Sequence, residues 1–497
     1  MAVPAQVSDI ELLLRARHAL IVLDTDEEER ATRLLTAACA RLAAMRFVWT
    51  AAAGLRRLGE VTPIYGTAKL DACLEHIAAS GAANALYHLS GVTELFADPE
   101  RAARLSALVG PLASVESSLV LSGPASALPE GIRRRAAVVV IARPSDAEYY
   151  ALVNGVLADV RKRIPVSMEL SAEESATLIS HLRGLTFFEA RQIMTQAMLR
   201  DGKLWHDDLA FVLRQKRAIV EQSGVLEYFA SESSLDDIAG LTRLKHWLKL
   251  RAPVFQDPGR AAEFGLTAPR GLLLLGVQGC GKSLCAKAVA QSWNLPLLRL
   301  DPARVYDKYL GETEKNLKRA IALCERMAPI ALWIDEIEKI FGNSQGEDSG
   351  AGQRLLGVFL TWLQEKQESV FVIGTSNDIT RLPPELLRKG RFDEIFFVDL
   401  PDESTRVDIL RLHLSKRKRA VDKFDLAALA KLSLGFSGAE LEQVVVSSLY
   451  RAYAEKSELT QEHLVEELAR TRPLSTTMAE PIAALRAWAQ GRTSTAD

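Results

Sequence analysis

The sequence predicts an α/β protein built from two related modules, each a parallel sheet with helices on both faces followed by a helical unit. Three observations predict it. Short apolar runs alternate with longer amphipathic stretches, the pattern of buried parallel strands joined by helices. That alternation occurs twice: Leu272 stands 251 residues after Ile21, Leu332 stands 245 after Tyr87, Phe371 stands 252 after Leu119 and Pro401 stands 257 after Pro144. Finally, "GLTFFEARQI" (184–193) returns as "GFSGAELEQV" (435–444). A near-constant offset of this size implies a duplicated domain rather than a solenoid.

Taking the chain in order, "ALIVLDT" (19–25), "RFVWTAA" (46–52), "ALYHLSG" (85–91), "SSLVLSG" (117–123) and "AAVVVIARP" (136–144) are the expected strands of the first sheet. From Ser145 to about Gly224 helical patterns replace them. In the second half, "GLLLLGV" (271–277), "ALWIDEI" (331–337), "VFVIGTS" (370–376) and "EIFFVDLP" (394–401) are strands, followed by helices from about Glu403 to Arg472. The expected divisions are an α/β domain over 1–145, its helical lid over 146–225, a linker leading into the second module over 226–266, the second α/β subdomain over 267–402 and its helical lid over 403–475. Residues 476–497 read as a small polar tail, expected to be disordered.

Bulk properties narrow the partners. A length of 497 residues calls for several domains of about 100 to 200 residues each. Hydrophobic residues at 48% and charged residues at 25% are ordinary for a globular chain, and a net charge of -2 gives no electrostatic reason to favour nucleic acid or a membrane. The five cysteines lack metal-ligand spacing and suit a reducing compartment. No run approaches the ~20 apolar residues of a membrane span, and the start lacks a basic leader with a long apolar run. The expectation is a cytoplasmic protein.

The chemistry is concentrated in the second half. "GVQGCGKS" (276–283) follows a strand and opens a helix, the context in which a glycine loop cradles phosphate. Gly276, Gly279 and Gly281 let backbone N–H groups curl around phosphate oxygens, with Val277, Gln278, Cys280 and Leu284 completing the cradle. Lys282 would hold the β and γ phosphates, and the Ser283 hydroxyl would sit on Mg2+. "LWIDEIEK" (332–339) ends a strand with two adjacent acids, costly to bury unless a cation or a reaction uses them. Asp335 would bind Mg2+ through its water shell, and Glu336 would polarise the attacking water. Asn377, closing "VIGTSND", adds an amide beside the same strand ends.

Together "SLDDIAGLTRLKHWL", the glycine loop, "KYLGETEKNLKRAI", "WIDEIEK", "TSNDITRLPPELLRKGRFDEIFFVDLP" and "GFSGAEL" resemble the AAA ATPases over roughly residues 234–470. The resemblance implies an AAA-type P-loop ATPase module with a helical lid, preceded by a degenerate AAA-like α/β module with a lid of its own. It implies that Arg388 and Arg391 are arginine fingers reaching a neighbouring subunit's ATP, which requires a ring, expected to be a homo-hexamer. His413 matches a family histidine near the adenine, and the backbone of Ile238 and Ala239 would lie along the same ring, with Ala239 where glycine is usual. Gly438 and Ala439 would start a lid helix against the phosphates. In protein-threading AAA rings a pore-facing aromatic grips extended polypeptide, and Tyr309, within Lys308, Tyr309, Leu310 and Gly311, occupies that place. Over the whole chain, "TWLQEK" (361–366), "RKGRFDEIFF" and "ALIVLDTDEEERA" resemble the largely uncharacterised AAA proteins encoded in cyanobacterial and algal plastid genomes.

The implied function is an ATP- and Mg2+-dependent ring that unfolds or remodels an unidentified protein substrate, directly or through an adaptor. An alternative is a non-threading, ATP-driven switch or assembly factor working through the first module. A nucleic-acid motor ranks last, because the basic run "SKRKR" (415–419) has no interleaved aromatics. The glycine-rich loop 342–353 reads either as a second pore loop or as a mobile crossover.

The first copy lacks this equipment. After its first strand stand Asp24, Asp26, Glu27 and Glu28 in place of glycines and lysine, which would repel ATP and serve as local helix capping. "YHLSGVTE" replaces "WIDEIEK", and Arg133, where Arg388 would be, reads as structural. Phe187 and Phe188 replace Gly438 and Ala439 and are expected to fill the phosphate space with apolar bulk.

Overall fold

A computed structural model describes residues 5–497 apart from 26, 41, 43, 61, 223, 230–233, 257, 306–311, 342–348 and 389. Lys308, Tyr309, Leu310 and Gly311, Asp26 and most of the 342–353 loop therefore lie outside the described residues. The chain divides into two compact units, 1–213 and 214–497. No helix among the described residues is long and apolar enough to cross a membrane.

The first unit holds a six-stranded sheet of β1 (Leu20–Asp24), β2 (Met45–Thr50), β3 (Gly54–Arg57), β4 (Ala85–Leu89), β5 (Ser118–Gly123) and β6 (Ala137–Val140), in the order β3-β2-β4-β5-β1-β6. Its neighbours are parallel except for the β2–β3 hairpin. Every residue of β4 and β5 is buried, as expected for strands covered on both faces. Successive residues of β1 serve opposite faces, Leu20 and Val22 in one core and Ile21 and Leu23 in the other. The helices Asp146–Arg161, Ala172–Leu182 and Phe187–Asp201 follow, each opened by a capping box, Ser145 with Glu148, Ser171 with Glu174 and Thr186 with Glu189. A short parallel pair, β7 (Ser167–Met168) and β8 (Lys203–Leu204), lies among them.

The second unit holds seven strands, β9 (Leu226–Phe229), β10 (Gly271–Gly276), β11 (Leu297–Leu300), β12 (Ile330–Ile334), β13 (Val370–Ser376), β14 (Glu394–Val398) and β15 (Ser494–Thr495), in the order β15-β14-β10-β13-β12-β11-β9. All neighbours are parallel except β9 on β11. Setting aside β3 in one sheet and the edge strands β9 and β15 in the other, both sheets run second, third, fourth, first, fifth in chain order. The repeat seen in the sequence is thus a repeat of topology. The helix Thr242–Gln256 covers one face, its Trp247 tilted against Phe371 and edge-on to Phe396. Four further helices, Glu403–Lys416, Leu426–Leu432, Gly438–Ala454 and Gln461–Arg470, close around their own core of Leu410, Leu414, Leu441, Val445 and Leu464.

Two expectations need correction. Residues 476–497 are ordered: the helix Ala479–Ala489 packs Leu485 and Ala489 on Phe397, Arg486 binds Asp399 at 2.8 Å, and β15 adds to the sheet edge at β14. Small residues make that docking possible, since Ala496 is only 1% exposed. The polar stretch at the start of 226–266 also begins with β9 rather than with free linker.

Candidate active site

The cleft is assembled at the carboxyl ends of β10, β12 and β13, where open parallel sheets place their ligands. β10 ends at Gly276, whose φ is +143° and whose missing Cβ would come within 2.0 Å of the Val398 carbonyl, so only glycine lets the chain turn here. The loop leads into the helix Lys282–Ser292, whose first-turn N–H groups have no carbonyl partner within the helix. Gly279, at φ +78°, packs against the start of the helix Gly438–Ala454: a Cβ would lie 2.9 Å from Ser437 Oγ, and the Ala439 N–H donates to the Gly279 carbonyl at 3.0 Å.

Lys282 is 5% exposed, and its Nζ donates to the carbonyls of Gly276 at 2.8 Å and Val277 at 2.7 Å. Burial lowers its pKa to about 8, since a desolvated ammonium is penalised. Ser283 Oγ donates to Asp335 Oδ1 at 3.1 Å, and Thr375 Oγ1 donates to the same oxygen at 2.5 Å while accepting from the Glu336 N–H at 3.1 Å. Glu336 has φ +50°, a strained conformation for a non-glycine residue, and its carboxylate rests against Lys339 at 2.5 Å. Asn377 gives its N–H to Glu338 Oε1 at 3.2 Å. Burial raises the Glu338 pKa, and its Oε2 is buried without a hydrogen-bond partner.

Lys282, Ser283, Asp335, Glu336, Thr375 and Asn377 face one cleft of about 550 Å3. From the loop and helix start come Gln278, Gly279, Cys280, Gly281, Lys282, Ser283 and Leu284; from the strand ends come Asp335, Glu336 and Asn377; from the lid come His413, Gly438 and Ala439; and Ile238 and Ala239 wall the far side. Gly276 and Val277 sit beneath, through the carbonyls that hold Lys282. Arg388 and Arg391 do not line the cleft; Arg388 is exposed, and Arg391 donates to the Leu360 carbonyl at 3.2 Å. Burial lowers the His413 pKa, with Glu442 3.5 Å away acting in the opposite sense, so the ring is neutral near pH 7. Cys280 is a thiol at that pH, because burial pushes it up to about 12.

The cleft also contains residues that sequence reasoning missed: Thr375, Asp237, Asp399, Glu442 and Asp497. Thr375 had a signal, one of two hydroxyl residues closing an otherwise apolar strand. Asp497 had none.

The first unit differs at the equivalent place. Glu27 does not cap its own helix; both its carboxylate oxygens accept the Phe187 N–H, at 2.9 and 3.1 Å. Glu28 accepts from Ser90 Oγ at 2.5 Å and Ser122 Oγ at 2.6 Å, and Asp24 accepts the Ala125 N–H at 2.8 Å. These acids tie the unit together rather than serving as local caps. Phe187 is buried as expected, edge-on to Tyr149 at 5.8 Å, but Phe188 is 56% exposed: successive positions at a helix start point in different directions, so only one can enter the core.

A parallel sheet in this order, with a glycine loop at its first strand and a helical lid resting on that loop, is the architecture of an AAA ATPase module, and the chain belongs to the AAA ATPase family. Residues 272–400 match the model of the ATPase family associated with various cellular activities (AAA), residues 6–141 that of the SpoVK-like AAA ATPase N-terminal domain, and residues 147–223 that of the SpoVK-like AAA ATPase second domain. Among individual proteins, the chain is similar to those named "Uncharacterized AAA domain-containing protein ycf46". It is 40% identical to that of Guillardia theta over 331 residues, 66% of this chain and 65% of the relative. It is 39% identical to that of Pyropia yezoensis over 341 residues, 67% and 69% of the two chains. The match to that of Gracilaria tenuistipitata var. liui is 37% over 380 residues, 76% of each.

Proposed function

We propose that this chain is a Mg2+-dependent ATPase that works as a homo-oligomeric ring, expected to be a hexamer, and remodels protein substrates by drawing polypeptide past Tyr309. The observation that carries the ATPase reading is the convergence of Lys282, Ser283, Asp335, Glu336 and Asn377 on one cleft beneath the helix Gly438–Ala454.

A nucleotide fits this site. Buried Lys282 has two carbonyls and a third donor available to reach β and γ phosphate oxygens. The Ser283 hydroxyl and the Asp335 carboxylate, 3.1 Å apart, are hard oxygen donors suited to Mg2+. Among the described residues no group of three or more His, Cys, Asp or Glu could cage a metal, so phosphate and water oxygens would complete the shell. Bound Mg2+ would neutralise charge on the phosphate oxygens as hydrolysis proceeds.

Glu336 is the general base. It orients a water and takes its proton as the water oxygen bonds to the γ phosphorus and the bond to the departing ADP breaks. Asn377 holds the same water or a γ-phosphate oxygen. Thr375 fixes both acids, through the Asp335 carboxylate and the Glu336 N–H. The backbone at Ile238 and Ala239, with His413, takes the base. Arg388 and Arg391 reach a neighbouring subunit's ATP, a reading supported by their absence from the cleft of their own chain. The first module takes no nucleotide and serves recruitment, ring assembly or regulation; the Glu27 carboxylate already held by its helix start supports this.

Two variants test the proposal. Glu336→Gln should bind ATP normally while phosphate release falls about 10²- to 10⁴-fold; full turnover would remove Glu336 from its role. Tyr309→Ala should keep its ATPase activity and lose substrate remodelling. If remodelling survives, threading is wrong and an ATP-driven switch acting through the first module takes its place. Strong stimulation by DNA or RNA at modest salt would favour a nucleic-acid motor instead.

A further inference from the structure

The cleft has two chemically distinct ends. One is the glycine loop with Lys282; the other is walled by Ile238, Ala239, Leu241, Ile409 and Leu412, an apolar slot suited to a flat base. The wall at 238–241 is an awkward piece of backbone. Gly240 and Leu241 are both left-handed, at φ +66° and +55°, a conformation that is strained for leucine and persists only where the surroundings enforce it.

What enforces it lies 256 residues away in sequence. Asp497 Oδ1 accepts the Leu241 N–H, and the Ala496 carbonyl accepts from Arg243 and Leu244 at 3.1 Å each. These are among the first N–H groups at the start of the helix Thr242–Gln256, which an intrahelical carbonyl cannot satisfy. A cap normally comes from the residue just before the helix; here it comes from a separate segment. That segment is itself anchored: Ser494 and Thr495 pair with Phe396 and Phe397, and the Ala496 N–H donates to the Phe397 carbonyl at 3.1 Å. Asp497 also lines the cleft.

We infer that Asp497 is a positioning residue for the base end of the nucleotide cleft, holding the 238–241 wall in its binding shape and so setting nucleotide affinity rather than the rate of hydrolysis. This rests on the nucleotide-binding reading above. Asp497→Ala removes the acceptor; Asp497→Asn keeps an acceptor oxygen.

The test uses the full chain and two probes, ATP and inorganic tripolyphosphate, which shares only the phosphate end. For Asp497→Ala, KM and Kd for ATP should rise about tenfold, the scale of one hydrogen bond to a charged group. Its kcat should stay within twofold, and its tripolyphosphate affinity should match the native chain. Asp497→Asn should restore ATP affinity, and amide exchange at Leu241 should quicken in the alanine variant alone. Unchanged ATP affinity in Asp497→Ala overturns the inference. So does equal weakening toward both probes, which marks a general loss of structure, or an asparagine variant as impaired as alanine. If the native chain binds ATP and Lys282→Ala does not, the nucleotide reading stands whatever Asp497 does; if the native chain binds none, both fall.

Discussion

His88 is a titratable group shut inside the first unit. It lies on β4, in the strand whose counterpart leads into Asp335 and Glu336, yet it is 1% exposed, with Nε2 2.9 Å from Ser122 Oγ and Nδ1 lacking a partner. Burial depresses its pKa from 6.5 to about 4. Between those values the unfolded chain binds the proton and the folded chain does not. Stability is therefore whole above about pH 6.5 and declines as pH falls toward 4, by about 2 kcal/mol at pH 5. Urea unfolding of the first unit at pH 7 and pH 5 should show this loss, and His88→Leu should flatten it; an equal decline in the variant would assign it elsewhere. Lys282, Ser283, Asp335 and Glu336 were legible in the sequence because each belongs to a short linear motif with a fixed chemical demand. Thr375 and Glu338 were not, because their roles depend on strand register: Thr375 reaches Asp335 only because β12 and β13 run side by side with Trp333 opposite Ile373.

At the scale of elements, long apolar strands such as β5, β10 and β13 declared themselves, whereas β3, β9, β11 and β15 did not. These have two to four residues, too few for a period to emerge, and β11 carries Arg299 in its middle. The helix start at Phe187 illustrates a different limit. Its capping box was readable as Thr186 followed by Glu189, but its second acceptor, Glu27, comes from 160 residues earlier. A carboxylate there does for the helix what a phosphate does at helix starts in nucleotide sites, meeting an unpaired N–H and the positive dipole end. Glu27→Ala should destabilise the first unit by about 1–2 kcal/mol, and amide exchange along Phe187–Asp201 should quicken. Glu27→Gln, which keeps an acceptor, should recover most of that loss. If exchange there is unchanged in the alanine variant, Glu27 is not the tie between strand end and helix.

Across the whole molecule, the duplicated topology was visible from the offsets, since strands buried on both faces keep their apolar runs even where the residues at the strand ends differ. The proposed assembly would not be written that way, because it would depend on residues that serve a different copy. At its phosphate end the cleft offers Lys282, Ser283, Asp335, Glu336 and Asn377, and among the described residues no arginine lines it. Hydrolysis places extra charge on the γ-phosphate oxygens, and an arginine delivered to them is worth roughly 10³–10⁵ in rate. A chain acting alone should thus be slow. If Arg388 is delivered to a neighbour, two defects in different subunits should compensate. Lys282→Ala has no working cleft but a good arginine; Arg388→Ala has a working cleft but no arginine to give. Each alone should release phosphate at near-background rates. Mixed and allowed to exchange subunits, they should recover a measurable fraction of native activity, because an Arg388→Ala cleft then sits beside a Lys282→Ala donor. The recovered rate should rise with protein concentration, as association requires. No recovery under conditions where mixed assemblies form would mean that Arg388 acts within its own chain or not at all.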